Sequence, residues 1–194
     1  MSWWVILPLA LAPIVLWTIG GLLKRVVTLE NQIAPKIGCS FSQDDPGCVR
    51  SGIAIVGKDL AATYYRMKVV RLGTGAVEGC VGYLISIERN GKTVLEGETG
   101  ALPFARSNED AYSKRIDEGV PQYLDLVAVT TENEVRVKTR EFIVPPDSFD
   151  EPGDYTLNIA VATPKGRPVH CDLVLHWTGY WSTTSMTYVP RKIP

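Results

Sequence analysis

At 194 residues the chain has room for one ordinary domain and an appendage, since a domain typically occupies about 100 to 200 residues. Its 20 Lys and Arg against 21 Asp and Glu leave a net charge of −1, so no global field directs it toward nucleic acid or an anionic lipid surface. The charge is unevenly spread, because residues 1–23 contain no Asp, Glu, Lys, Arg or His.

The run from Trp3 to Leu23 is therefore predicted to be a transmembrane α-helix. About 20 apolar residues, rising roughly 1.5 Å each, cross a hydrocarbon core of roughly 30 Å. Trp3 and Trp4 would lie at one interface, Trp17 and Leu22 further along the span. Pro8 and Pro13 predict a kink, which membrane helices tolerate. A cleaved secretory signal would need a basic start, a shorter core and a small-residue cleavage site, so an uncleaved span is the expectation. Lys24 and Arg25, with Lys36 beyond them, flank the C-terminal end of the run. Basic residues are retained in the cytoplasm, which predicts a cytoplasmic domain. So few charges leave the opposite orientation open.

Leu22, Val26, Leu29 and Ile33 recur at helical spacing before Pro35, extending the helical segment to residues 1–34. Leu29 and Ile33 could then meet another protein or a second copy of the chain; the plainer reading is a frayed helix end lying on headgroups or on the domain. No G-x-x-x-G pattern in the span adds to a helix-pairing case. Residues 35–58 read as a linker, with Gly38 and Asp44-Asp45-Pro46-Gly47 as turn signals. Cys39 and Cys48 bracket its centre. They could close a small loop in an oxidising compartment and would stay thiols in the cytoplasm.

Residues 59–181 alternate with period two in short runs separated by turns, the pattern of an all-β sandwich or barrel. Tyr65, Met67 and Val69 alternate with Tyr64, Arg66 and Lys68. A second strand runs from Glu78 to Glu88, and Asn90-Gly91 predicts a tight hairpin returning through Val94 and Leu95. Gln122 to Val129, Glu134 to Lys138, Tyr155 to Val161 and Val169 to Trp177 complete the predicted strands. Cys171, Leu173, Leu175 and Trp177 share one face of the last. Residues 182–194 read as a tail.

The segment Glu151-Pro152-Gly153-Asp154-Tyr155-Thr156-Leu157 resembles the start of strand F in immunoglobulin-like domains, where a tyrosine bonds back across the corner. Across roughly residues 59–181, the resemblance implies an immunoglobulin-like antiparallel β-sandwich, here preceded by one transmembrane α-helix. Tyr155 would be the corner tyrosine. Leu157 stands where antibody-type domains carry a cysteine, and Cys80 lacks the expected partner. The resemblance implies nothing specific about activity, because this fold hosts many unrelated functions.

Chemistry is sparse. His176 is expected to face solvent between core-facing Leu175 and Trp177, and His170 sits beside a turn; neither belongs to a catalytic motif. Cys39, Cys48, His170 and Cys171 would make a chemically suitable zinc set, but their spacing lacks the short C-x₂₋₄-C pattern of structural sites. The acidic residues Glu109, Asp110, Asp117, Glu118, Asp147, Asp150 and Glu151 lack an EF-hand pattern, and no phosphate or dinucleotide fingerprint occurs. Arg136, Lys138 and Arg140 alternate along a strand and read as a water-facing surface. Trp177 should close the core, while Tyr180 and Trp181 either pack over its rim or meet a partner. The expectation is a membrane-anchored, non-enzymatic binding or scaffolding module with no cofactor. Its partners would be the bilayer and another protein, possible homo-oligomer contacts running through the membrane helix, and no nucleic acid. The alternatives are a small metal-binding sensor or enzyme, and an accessory subunit of a membrane complex.

Overall fold

The computed structural model describes residues 21, 22, 24, 25, 36–54, 60–95, 99–105 and 111–189. The chain divides into two units, Met1–Ala34 and Pro35–Pro194. In the first, Gly21, Leu22, Lys24 and Arg25 are helical and exposed. The rest of the expected span, with Trp3, Trp4 and Trp17, and the stripe residues Leu29 and Ile33 lie outside the described residues. Among the described residues no helix is long and apolar enough to cross a membrane, a statement about helices alone.

The second unit is an antiparallel β-sandwich. Its first sheet contains β1 (Lys36–Ser40), β2 (Val49–Ala54), β3 (Ala61–Leu72), β8 (Gln122–Thr130) and β9 (Val135–Arg136). Both β1 and β2 pair with β3, on whose other side β8 carries β9. The second sheet runs β12 (Ser185–Val189), β11 (Val169–Trp177), β10 (Gly153–Ala162), β4 (Val77–Arg89) and β5 (Lys92–Leu95). Two short strands, β6 (Gly100–Leu102) and β7 (Lys114–Ile116), also pair with β4. A 3₁₀ turn, Pro146–Phe149, precedes β10.

Period-two alternation builds the core, because successive side chains of a strand point to opposite faces. From the first sheet Tyr65, Met67, Val69, Leu124 and Val129 are buried; from the second come Leu84, Ile87, Leu157, Leu173 and Leu175. Leu157 pairs in register with Leu173 on one side and Ile87 on the other. Apolar packing thus surrounds Leu157 on both sides. The Asn90-Gly91 hairpin forms as expected, with φ of 50° and 73°. These left-handed angles suit a tight turn that matches the twist of β4 and β5.

Three stretches differ from the sequence reading. Residues 35–58, expected as a linker, supply β1 and β2, and the expected tail supplies β12. The strand expected over Glu134 to Lys138 is regular only at Val135–Arg136, after which Lys138 makes an isolated bridge to Ile143. β1, β2 and β12 are short strands whose backbone groups find partners on a longer neighbour, while few of their own side chains reach the core; in the third stretch Val135 and Val137 are both buried, but ladder pairing to β8 ends at Arg136.

Tyr155 makes the corner bond anticipated from its sequence context, its hydroxyl donating to the Glu151 carbonyl at 2.7 Å. Its ring packs on Phe149, with centroids 4.9 Å apart, and the Arg89 guanidinium lies 5.7 Å from its ring centroid. Nearby, the Trp177 indole N–H donates to the Phe149 carbonyl at 2.8 Å. Replacing Tyr155 by Phe keeps the packing and removes one hydrogen bond. Tyr155→Phe is expected to lower unfolding free energy by about 1 kcal/mol, read as a lower denaturant midpoint with an unchanged slope.

Candidate functional site

The alternation that sends Tyr65, Met67 and Val69 inward puts Tyr64, Arg66 and Lys68 on the outer face of the first sheet. Cross-strand register extends that face. Arg50 stands opposite Tyr64, Tyr64 opposite Ala128, and Ala128 opposite Arg136, which makes one row across four strands. The next row pairs Arg66 with Asp125, and the next Lys68 with Tyr123. Between the first two rows the β3–β8 register shifts, so that Leu126 is the extra residue of a bulge. Bulges bend a strand and re-aim its side chains.

Arg66 is the centre of this face and only 8% exposed. Its Nε lies 2.5 Å from Asp125 Oδ1, and its guanidinium carbon sits 5.2 Å from the Tyr64 ring centroid, within range of a cation–π contact. Burial pushes the Asp125 carboxyl up, and the Arg66 charge opposes that rise. A partly desolvated pair of this kind fixes geometry more than it adds stability.

Two clefts open on this face and share Arg66 as a wall. One, of about 550 Å³, is lined by Pro46, Gly47, Arg50, Lys114 and Tyr123 among others. The second, of about 570 Å³, is lined by Ile53, Tyr64, Asp125, Arg136 and Lys138 among others. Among the described residues, the lining cations are therefore Arg50, Arg66, Lys114, Arg136 and Lys138, and the lining carboxylate is Asp125. Arg136 also holds Glu134, with Nε 2.9 Å from Oε2. A surface on which cations outnumber carboxylates, with tyrosine rings among them, suits an anionic, partly apolar ligand.

The rim beside Tyr123 is shaped by the loop between β1 and β2. Cys48 N–H donates to the Asp45 carbonyl at 2.8 Å, and Arg66 N–H donates to the Cys48 carbonyl at 2.7 Å, which ties the loop to β3. The Gly47 N–H donates to Asp45 Oδ1 at 2.8 Å, and Lys68 Nζ reaches Asp45 Oδ2 at 3.3 Å. A Cβ at Gly47 would lie 2.1 Å from Tyr123 Cζ, so only glycine lets that ring lie against the loop backbone.

No protein-family model matches the chain. No curated protein matches it either. The site must accordingly be judged on its own chemistry.

Of the candidates read from sequence, Lys24 and Arg25 lie in the first unit, and Tyr180 and Trp181 are exposed at 64% and 37%. Trp181 N–H donates to Asn133 Oδ1 at 3.0 Å, so the two aromatics sit on an anchored turn rather than under the core. The zinc set does not assemble: among the described residues no three metal-binding side chains gather. Cys39 and Cys171 are neighbours between the sheets, but His170 is exposed and Cys48 sits beside Arg66.

His176 is more constrained than a bare surface imidazole. Its Nδ1 lies 2.8 Å from Asp154 Oδ1, and its Nε2 lies 3.0 Å from Thr187 Oγ1. The order acid, imidazole, hydroxyl matches that of a nucleophilic triad. Yet these side chains project from β10, β11 and β12 on a solvent-facing sheet surface, and they line neither cleft.

Sequence reasoning missed Arg50, Tyr64 and Arg66 as members of one site. The signal was present in part, since Tyr64, Arg66 and Lys68 alternate with core residues, but their neighbours come from distant strands. The Asp45 carboxyl gives this rim a defined pH response. The Gly47 N–H and then Lys68 hold it below the usual carboxylate range, so its contribution to stability is present above the ordinary value and lost as pH falls through the depressed one. Asp45→Asn should lower the melting temperature slightly near pH 7 and converge with the unmodified chain toward pH 3, which flattens the acid limb, as measured by thermal melts between about pH 3 and 7.

Proposed function

We propose that this chain is a non-enzymatic binding module: an immunoglobulin-like sandwich, tethered to a membrane by the segment from Trp3 to Leu23, that takes an acidic segment of another protein on the outer face of its first sheet. The observation that carries the binding site is the convergence of Arg50, Arg66, Lys114, Arg136 and Lys138 around Tyr64 and two adjoining clefts. Acidic side chains would meet the cations, while apolar parts of the peptide rest on Tyr64 and Ile53. The immunoglobulin-like assignment is supported by the antiparallel two-sheet architecture and the Tyr155–Glu151 corner bond. The tether is supported by the charge-free apolar run of the sequence.

The face offers no histidine, cysteine or serine among its described lining residues, and this favours recognition over turnover. A subunit role in a membrane complex draws on a different feature, the exposed Tyr180 and Trp181, since aromatic residues are enriched in interface cores.

Titration of the purified chain with a fluorescent Glu-rich peptide and its Lys-rich counterpart tests the reading. The acidic peptide should bind, and binding should weaken steeply with salt. The double variant Arg50→Glu/Arg136→Glu should reduce affinity by about tenfold, with each half-buried charge contributing up to about 1 kcal/mol. Equal binding of both peptides, or no effect of the charge reversals, would reject the site.

The tether has its own test. Full-length chain should stay with the membrane pellet after alkaline carbonate washing, whereas a chain lacking residues 1–23 should move to the supernatant. Release of the full-length chain would refute a spanning anchor.

A further inference from the structure

Cys39 and Cys171 come from different sheets and meet between them. Cys39 lies in β1, opposite Val69 of β3, and is partly buried against the core. Cys171 lies in β11, opposite Ile159 of β10, and is fully buried. Packed sheets usually stand about 10 Å apart, yet Cα atoms of β1 and β11 approach within 8 Å of one another. The Cys171 side chain is the foremost group acting on the Cys39 thiol, which makes the two thiols neighbours. Tyr188 of β12 closes the other side, its hydroxyl 4.0 Å from Cys171 Sγ. Both cysteines are thiols in this structure, as are Cys48 and Cys80.

We propose that Cys39 and Cys171 are an oxidisable pair, converted by a disulfide donor into an inter-sheet disulfide that staples the edge strand β1 to β11. A disulfide needs facing thiols on backbones roughly 4.4 to 6.8 Å apart at Cα, and here two thiols act on each other from strands whose Cα atoms come within 8 Å. The staple would lie on a different pair of strands from the antibody-type bridge, whose position Leu157 fills with apolar packing.

The chemistry is two thiol–disulfide exchanges. Cys39 loses its proton, and its thiolate attacks one sulfur of the donor, forming a mixed disulfide and releasing one donor thiolate. The Cys171 thiolate then attacks Cys39 Sγ, forming the Cys39–Cys171 bond and releasing the second donor thiolate. The cysteines give up two protons and two electrons, and the donor ends as two thiols. In the folded domain the Cys171 hydrogen bond, burial and the neighbouring cysteine charges all push the Cys39 thiol up. Thiolate is then scarce, so exchange in the folded domain is slow and the bond forms before the sheets close.

A bridge joining residues 39 and 171 constrains most of the domain in its unfolded state, the regime in which a disulfide stabilises most. Disulfides persist in oxidising compartments, so this staple runs against the cytoplasmic orientation expected from Lys24 and Arg25.

The test is to unfold the full chain, refold it in a buffer of oxidised and reduced glutathione, block free thiols by alkylation and map the peptides without reduction. The expected result is one link joining the Cys39 and Cys171 peptides, with Cys48 and Cys80 alkylated once the chain is denatured. Melting temperature should rise on the order of 10 °C over the reduced chain. Cys48→Ser should keep both the link and the gain, and Cys39→Ala should abolish both. Because Cys39 is only partly buried, its alanine variant should fold; far-ultraviolet circular dichroism verifies this, and Cys39→Ser serves as a second variant of the same position. Recovery of Cys39 and Cys171 as alkylated thiols, or their linkage mainly to Cys48, to Cys80 or between chains, would overturn the proposal.

Discussion

The register between β3 and β8 is the constraint on which the rest of the domain depends. With a side-chain period of two, a slip of one residue would exchange Met67 for Arg66 at the core and expose an apolar row in place of the cationic one. Met67 pairs with Leu124 and Arg66 with Asp125, so one ladder fixes both the inward packing and the outward charge. The bulge at Leu126 lets the sheet turn between these rows without losing either. The strands that flank the ladder follow from it: β1 and β2 find their backbone partners on β3, and β9 finds its partners on β8.

The outer face shows how such a scaffold acquires a binding character without a catalytic one. Arg66 is nearly buried, and a buried cation requires compensation; Asp125 and the Tyr64 ring supply it. Arg50 and Arg136 stand in line with Tyr64 on either side, which spreads positive potential along the sheet instead of concentrating it at one point. Overall charge conceals this arrangement. A chain with net charge −1 still presents two adjoining clefts lined by cations, because charges cancel in a sum but not in space.

The core solves the problem of joining two sheets in its own way. Leu157, flanked by Leu173 and Ile87, joins the sheets by hydrophobic burial, and the thiol pair sits where β1 meets β11. The corner at Tyr155, by contrast, is held by a hydrogen bond from its hydroxyl to the Glu151 carbonyl. Corner and covalent link are separable because each satisfies a local requirement, one of a turn carbonyl and the other of inter-sheet packing.

How much was legible in the sequence varied with the size of the side-chain signal. The long strands β3, β4, β10 and β11 were visible, as were the Asn90-Gly91 hairpin and the Tyr155 corner, because core burial imposes period two and tight turns demand particular residues. β1, β2 and β12 were not. In β12 only Met186 is buried, and the β1–β2 region is crowded with turn residues, so backbone pairing alone made them strands. The outer face was legible only as isolated alternating charges. By itself the sequence determined which residues of each long strand face the core, for alternation is a local property of the chain. Tertiary structure alone decided that Arg50, Arg66 and Arg136 share one surface and that Cys39 meets Cys171, since those contacts depend on which strands lie side by side and which sheets face each other.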